Sequence, residues 1–211
     1  MKFIKNRGVI LSIKNRKLVV GVGVNDWDVS TWDNSIKRDI PEYLLWKSML
    51  ARAYSPSYQK RYPTYKGVSV DSDWLSITNF IADVSSKVGY RKALFSNWVL
   101  DKDLLSDGRL YSKETCCFLP PEINGFLTHK KSTSNDTPVG VSFHKLTNKY
   151  KAEIRFNGKH YYLGLFEDKL EAFEKYKERK EEFSKVLAES WRNEIELPAY
   201  NALMNFKVSP Y

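Results

Sequence analysis

The sequence predicts an α+β protein made of two parts, and three observations support this fold class. Residues 1–128 mix short apolar runs typical of strands with periodic stretches typical of helices. Residues 138–187 hold three strand-like runs followed by a long helix-like stretch. Residues 129–137 separate the two parts and have the polar composition of a linker. We therefore expect two domains, with residues 188–211 as an extension of the second.

The charge of the chain suits a polyanionic partner. The 211 residues contain 34 Lys and Arg against 25 Asp and Glu, a net charge of +9 at pH 7. Residues 128–166 carry 7 basic and 2 acidic residues, a net charge of +5, whereas residues 167–211 carry a net charge of −2. A local positive excess of this kind is typical of nucleic-acid-binding proteins. The segment 128–166 is therefore the strongest electrostatic candidate for such a contact.

The composition also favours a reduced, cytoplasmic location. Cys116 and Cys117 are adjacent, which is a poor arrangement for a structural disulfide, and no CxxC pair offers zinc ligands. No apolar run approaches the roughly 18 residues of a membrane span. The N-terminal residues lack the long apolar region of a signal peptide. We therefore expect neither a membrane protein nor a secreted one.

The first part is predicted to begin with a β-hairpin over residues 8–24, because two runs rich in β-branched residues flank a polar turn at 14–16. A helix is predicted from Pro41 to about Tyr54, since proline favours the first helical turn. Its expected apolar residues are Leu44, Leu45, Met49 and Ala53. Residues 55–67, with two prolines and three tyrosines, are predicted to form a loop.

The rest of the first part is predicted to run helix, strand, strand, helix. Asp73 can cap a helix from Trp74 to about Val88. The apolar residues of that helix recur at helical spacing at Trp74, Ile77, Ile81 and Val84. The predicted strands cover residues 97–102 and 115–119, and Pro120-Pro121 opens a short helix through about Leu127.

The second part is predicted to be a three-stranded antiparallel sheet with one helix. The expected strands cover residues 139–144, 149–156 and 159–164. Asn157-Gly158 is typical of a two-residue hairpin turn. Asp168 and Glu171 have the spacing of a capping box at the start of the helix. Residues 188–211 are predicted to extend this helix and then to trail off into a tail that packs back on the domain.

Alternation along the second of these strands separates an apolar face from a polar face. Tyr150, Ala152, Ile154 and Phe156 point one way, which suits a face covered by the helix. Polar side chains from the three strands make up the opposite, open face: Ser142, His144, Lys151, Glu153, Arg155, His160 and Tyr162. The simpler interpretation is a half-exposed sheet whose outer face is merely polar.

Residues 138–183 resemble the AP2 type of DNA-binding domain. The resemblance is carried by Gly140-Val141, Ala152-Glu153-Ile154-Arg155, Leu163-Gly164, Phe166, and Ala172 with Tyr176 in the helix. It implies that the polar face enters the major groove of double-stranded DNA, with Arg155 as the best candidate for a bidentate contact to guanine. AP2 domains usually carry more Arg and a Trp on these strands, where this chain has Ser142, His144 and Tyr162. The resemblance therefore implies no particular target sequence.

Residues 43–127 resemble a group of bacteriophage HNH-like, or ββα-metal, endonucleases that also contain AP2 domains. The matching residues are Trp46, Met49, Arg52, Pro63-Thr64-Tyr65, Trp74, Phe80, Leu100-Asp101-Lys102-Asp103, Tyr111-Ser112 and Cys116. The resemblance implies that Asp101 and Asn124 hold Mg²⁺ or another divalent metal. Lys102 stands where these enzymes carry the histidine that acts as the base.

Three interpretations of Lys102 are open. It could act on water as an unusual base, if burial or a nearby metal cation lowers its pKa into a useful range. It could instead contact the scissile phosphate and neutralise charge in the transition state. Residues 101–103 could also be no more than an exposed charged turn after a strand. Within the predicted loop 55–67, three basic residues are candidate phosphate contacts: Lys60, Arg61 and Lys66.

Together these features predict a phage-type endonuclease, for example a homing enzyme, that hydrolyses phosphodiester bonds of double-stranded DNA in the cytoplasm of a bacterial host. The expected catalytic residues are Asp101, Lys102 and Asn124. The alternative is a catalytically inactive, HNH-derived protein that binds double-stranded DNA as a phage regulator or anti-host factor. Loss of the histidine favours this alternative. RNA binding is the weaker hypothesis, because the sequence has no recognisable RNA-binding signature.

Overall fold

The structure, a computed structural model, describes residues 17–128 and 136–210 and has the predicted α+β class. The chain divides into two compact units, Met1–Pro120 and Pro121–Tyr211. The border between them lies ahead of the linker expected at 129–137, most of which falls outside the described residues. The first strand of the hairpin predicted over 8–24 also falls outside them.

The described part of the first unit consists of short helices joined by very short strands. Its helices are α1 (Pro41–Tyr54), α2 (Pro56–Arg61), α3 (Ile77–Val84) and α4 (Tyr90–Phe95). Its strands are β1 (Trp32–Asp33), β2 (Arg38–Asp39), β3 (Ser69–Val70), β4 (Val99–Asp101), β5 (Leu110–Tyr111) and β6 (Cys117–Leu119). Strand β1 pairs antiparallel with β2, and β4 pairs antiparallel with β6. Strand β3 pairs parallel with β5.

The core of this unit forms around α1, whose predicted bounds are confirmed. Its buried residues are Trp46, Met49, Leu50 and Ala53. Leu44, which was expected in the apolar set, is instead 43% exposed. The Trp46 indole N–H donates to the carbonyl of Trp74 at 2.9 Å, so this large buried side chain leaves no polar atom without a partner. Trp74 and Trp98 are also buried, as expected of core residues.

Two predictions for the first unit are wrong at the level of local structure. Residues 17–24 do not form a strand, because Val19 and Gly23 bond to each other across a tight turn in which Val20 and Gly21 have positive φ. Residues 55–67 are not a loop. The Ser55 hydroxyl accepts the N–H of Tyr58 and Pro56 fills the first turn, so α2 forms and a 3₁₀ turn follows at Pro63–Tyr65.

The second predicted helix begins later and ends earlier than expected. Asp73 opens a short 3₁₀ turn, and Ser76 is the residue that caps α3 by accepting the N–H of Asn79. The buried face of α3 includes Phe80, whereas Ile81 is only half-buried. The predicted strands at 97–102 and 115–119 are confirmed in shorter form as β4 and β6.

The second unit is the predicted three-stranded antiparallel sheet with helices. Its strands are β7 (Val141–His144), β8 (Lys149–Phe156) and β9 (Lys159–Phe166), in the order β7-β8-β9. Its helices are α5 (Pro121–Leu127), α6 (Lys169–Trp191) and α7 (Leu197–Met204). Helix α7 was not predicted, because residues 188–211 were expected to trail off as a tail. The tail does pack back, since Leu203 is fully buried and Phe206 packs on the core.

One face of α6 covers the inner face of this sheet. Ala172, Tyr176 and Phe183 from the helix are buried with Ala152 and Ile154 from β8. Gly140 is required at the start of β7, because its φ is +75° and a Cβ there would lie 2.0 Å from the Tyr176 ring. No helix among the described residues is long and apolar enough to cross a membrane.

Candidate nucleic-acid interface and the lysine cluster

The strand register places the predicted polar residues of the second unit on one face of the sheet. Ser142 lies opposite Lys151, while Arg155 lies opposite His160 and Glu153 opposite Tyr162. Because residues directly opposite each other in antiparallel strands point to the same side, these pairs share a face. Arg155 and His160 are exposed, and Tyr162 is 59% exposed. We call this surface the outer face: Ser142, His144, Lys151, Glu153, Arg155, His160 and Tyr162.

A β-bulge in β9 changes which side chains of that strand point to the core. Ala152 pairs with Gly164 and Glu153 with Tyr162, so Leu163 is an extra residue that has no opposite partner. Without this extra residue, simple alternation after Tyr162 would place Phe166 on the outer face. With it, Phe166 packs on the core, and Leu165, opposite Lys151, lies on the outer side of the sheet. The bulge therefore turns Phe166 toward the core and leaves one apolar residue, Leu165, beside the polar ones.

The charges on the outer face are partly paired and partly free. Glu153 accepts from Lys151 at 2.9 Å and from His160 at 3.0 Å. The hydrogen bond from Lys151 lowers the pKa of Glu153, so this carboxylate stays ionised at neutral pH. Arg155 is exposed and takes part in no ion pair with any described residue. A free guanidinium beside a fixed polar network can offer both of its forked donors to a planar acceptor.

Asp101 organises the loop that follows β4 in the first unit. It is only 7% exposed. One oxygen of its carboxylate accepts the backbone N–H groups of Asp103 and Leu104, at 3.0 and 2.9 Å. Burial raises the pKa of Asp101. The carboxylate thus has a structural role in shaping the loop.

Lys102 is not part of an exposed turn, because the whole residue is only 4% exposed. Its ammonium group donates to the Asp103 carboxylate at 2.7 Å. It also lies 5.3 Å from the centre of the Tyr65 ring and 5.6 Å from the centre of the Tyr111 ring. An ammonium group has three donors and no acceptor, so its hydrogen-bond partners are acceptors such as a carboxylate or a phosphate.

A second cation lies among the same tyrosines. The Arg52 guanidinium is hydrogen-bonded to the hydroxyls of Tyr111 and Tyr58. The rings of Tyr58 and Tyr65 meet edge to face, with centroids 5.6 Å apart. Burial raises the pKa of Tyr65, so its hydroxyl stays neutral and can donate. We call this set the lysine cluster: Arg52, Tyr58, Tyr65, Asp101, Lys102, Asp103 and Tyr111.

The basic residues predicted to contact phosphate lie next to this cluster along the chain. Lys60 and Arg61 form the last turn of α2, and Lys66 follows the 3₁₀ turn that carries Tyr65. All three are exposed. The exposed Arg109 lies beside Gly67, at 3.3 Å from the position of a Cβ there. These cations provide a positive surface on the same elements that supply the tyrosines.

The two residues expected to bind the metal belong to different compact units. Asp101 belongs to the first unit, whereas Asn124 lies in α5 of the second. Within residues 17–128 and 136–210, no group of three or more His, Cys, Asp and Glu side chains is arranged to hold a metal ion. Both backbone N–H groups that Asp101 accepts end on one carboxylate oxygen, which leaves the other oxygen as the candidate metal ligand.

Sequence reasoning found Lys102 but did not find what surrounds it. Arg52 and Tyr65 are 50 and 37 positions away along the chain, so spacing alone could not join them to Lys102. The available signal was that Arg52, Tyr65 and Lys102 all belong to the set of residues that carries the resemblance over residues 43–127. Cys116 and Cys117 are both buried and form no disulfide, which agrees with packing in the core. Burial raises the pKa of Cys116 to about 12, so it stays a thiol.

Comparison of the chain with models of known families, with curated proteins and with solved structures gives no match in any of the three.

Proposed function

We propose that this chain binds double-stranded DNA and that the outer face of the sheet reads the major groove. The observation that carries the proposal is the exposed Arg155, free of ion pairs with described residues, on the outer face near the turn between β8 and β9. A two- or three-stranded β surface fits the width of the major groove. The net charge of +5 over residues 128–166 supplies attraction to phosphate.

Each outer-face residue has a distinct expected role. Arg155 can donate two bonds to guanine, and Glu153 can accept from cytosine. Lys151 and His160 hold Glu153 in place, so recognition uses a preformed surface. Ser142, His144 and Tyr162 offer further hydroxyl and imidazole contacts to base edges or phosphates.

The test is a change of the full chain at Arg155. Duplexes that bind best are first selected from a random-sequence pool. Arg155→Ala is expected to weaken binding to the selected duplex by about 5- to 150-fold, because a bidentate contact discriminates by about 1–3 kcal/mol. Arg192→Ala is the matched control, since Arg192 is an exposed arginine at the end of α6. The proposal would be overturned if Arg155→Ala and Arg192→Ala had the same affinity for the selected duplex and also the same affinity for unselected duplexes.

A second candidate is cleavage of the bound DNA by an HNH-like centre. The observation that favours it is the antiparallel pair β4 and β6, followed along the chain by α5, with Asp101 and Lys102 at the end of β4; the short strand β5 lies between β4 and β6 in sequence and pairs with β3. This strand, strand, helix order is the one that the resemblance to ββα-metal enzymes implies. The resemblance assigns Mg²⁺ or another divalent ion to Asp101 and Asn124, while Lys102 would stabilise negative charge on the phosphate.

Supercoiled plasmid separates the two candidates. The wild type is incubated with Mg²⁺ or Mn²⁺ beside Asp101→Asn, Lys102→Met and Asn124→Ala. Nicking that is lost in all three variants would support the enzyme. Binding without nicking in either metal would leave the DNA-binding function in place and reject the catalytic one.

A further inference from the structure

The Lys102 ammonium is a buried charge whose described anionic partner lies at the surface. Its side chain is 6% exposed, whereas the side chain of Asp103 is 67% exposed. Burial of a cation is costly unless an anion compensates it. The walls beside it are the rings of Tyr65 and Tyr111, which attract a cation weakly and leave its charge in place. The buried Asp101 carboxylate also interacts with Lys102, but Asp103 is the anion in direct contact with the ammonium group and the one that can exchange with solvent.

The backbone of the loop does not depend on the ion pair between Asp103 and Lys102, so the Asp103 side chain can move without unfolding the loop. The Asp103 backbone is held by Asp101, and the Ser106 hydroxyl donates to the Lys102 carbonyl at 2.7 Å. Gly108 makes room for the Asp103 carboxylate, because a Cβ there would lie 2.1 Å from its oxygen. A rotation of the Asp103 side chain would thus uncover the ammonium group while the backbone stays in place.

The surroundings favour a phosphate in the uncovered position. Arg52 is a second cation among the same rings, and the tyrosine hydroxyls are neutral donors. Exposed cations at Lys60, Arg61 and Lys66 stand on the elements next to the cluster. A phosphate group offers several acceptor oxygens, so it can accept charge-assisted hydrogen bonds from more than one of these groups, whereas the Asp103 carboxylate forms its ion pair with Lys102.

We propose that Asp103 is an internal substitute for a DNA backbone phosphate, and that DNA binding replaces its carboxylate on Lys102. The inference rests on the proposed DNA-binding function and adds a second contact, in the first unit, with its own regulation. While Asp103 is in place, the site is closed and its charge is balanced. Nucleic acid that reaches the cluster opens it and gains the ion pair that Asp103 gives up.

Removal of the Asp103 charge should strengthen DNA binding by the full chain. Asp103→Asn is expected to tighten binding to duplex DNA about tenfold at low salt, because the phosphate no longer competes with a carboxylate. Asp107→Asn is the matched control, since it removes the same charge from an exposed position in the same loop. When Lys102 is already replaced by Met, Asp103→Asn should change DNA affinity only as little as Asp107→Asn does. Asp103→Glu, which can keep the ion pair, should behave like the wild type.

A second measurement does not depend on DNA. Sodium phosphate is added to each variant at constant ionic strength, with sodium chloride as the reference, and the thermal midpoint is recorded. Phosphate should stabilise Asp103→Asn and have little effect on the wild type or on the Lys102→Met double variant. Equal DNA affinities for Asp103→Asn and Asp107→Asn, with no phosphate-specific stabilisation, would overturn the inference. Phosphate stabilisation of Asp103→Asn in a chain that binds no duplex would reject the DNA-binding function and retain only an anion site.

Discussion

At the scale of single residues, Lys180 is the buried cation of the second unit. It is 6% exposed, and its ammonium group donates to the carbonyl of Phe126 near the end of α5. It also lies 3.8 Å from the centre of the Phe126 ring. Burial lowers the pKa of Lys180 to about 8 from 10.5. The carbonyl and the ring compensate the charge only in part, since the pKa remains low.

This pKa predicts that stability depends on pH in one window. Between pH 8 and 10.5 the unfolded chain keeps the proton that the native Lys180 loses, so stability rises with pH across that interval. The rise is at most about 3 kcal/mol, since each pKa unit corresponds to about 1.4 kcal/mol. Urea denaturation of the wild type at pH 7.5 and pH 10 measures it. Lys180→Met should lack the rise, and parallel pH profiles for the two proteins would contradict the prediction.

The lysine cluster shows which residues a sequence can reveal. Asp101 and Lys102 were found because they are adjacent and follow a strand-like run. The burial of Lys102 could not be foreseen, because charged residues after a strand are usually exposed. Its burial depends on Tyr65 and Tyr111, which reach it only after the chain has folded.

At the scale of elements, α6 has the strongest local signal in the chain. Asp168 accepts the N–H groups of Leu170 and Glu171 at 2.7 and 3.1 Å, as the capping pattern predicted. These donors would otherwise be without partners at the first turn. The start of α6 is therefore defined by one side chain.

Loss of this cap should lower stability by a measurable amount. Asp168→Ala is expected to reduce the free energy of unfolding by about 1 kcal/mol, whereas Asp168→Asn keeps an acceptor and should cost less. Glu167→Ala is the control, because Glu167 is an exposed neighbour that pairs with Lys149. Urea midpoints for the three variants give the comparison. A cost for Glu167→Ala as large as that for Asp168→Ala would show that the cap is not responsible.

Elements with weak local signals were missed or misplaced. Strands β3 and β5 have two residues each and pair in parallel, which no sequence period can indicate. Helix α2 was taken for a loop because prolines and tyrosines dominate it, yet Ser55 and Pro56 are good starting residues. By contrast, β8 and β9 were placed well because Asn157-Gly158 fixes their turn, with φ of 48° and 72°.

At the scale of the whole molecule, the charge distribution predicts how the proposed DNA binding would depend on salt. Each phosphate contact made by a cation should contribute about −0.9 to the slope of log affinity against log salt concentration. Lys66→Ala should reduce that slope by about 1 and weaken binding equally for all duplexes, unlike Arg155→Ala. Lys185→Ala, an exposed lysine on α6, is the control. An unchanged slope for Lys66→Ala in binding titrations from 50 to 300 mM salt, roughly the range where such slopes are measured, would exclude it as a phosphate contact.

The two-part organisation could be foreseen from composition, but not the position of its border. The polar residues 129–137 suggested a linker there, whereas the compact second unit starts at Pro121. The border lies earlier because α5 packs against the second unit. Phe126 lies edge to face with Phe156, with 5.9 Å between the ring centroids, and packs on the core of the sheet. The sequence pattern assigned α5 to the first part, whereas its side chains pack in the second unit.

Helix α5 consequently limits how this chain can be divided or exchanged between proteins over evolution. A segment that began after residue 128 would inherit Lys180 without the Phe126 carbonyl and ring that compensate it. A segment of the first part that ended at residue 128 would include a helix whose side chains pack in the core of the second unit. Recombination at Pro120-Pro121 would avoid both defects. The three-stranded sheet can therefore be transferred to another protein only together with the seven residues of α5.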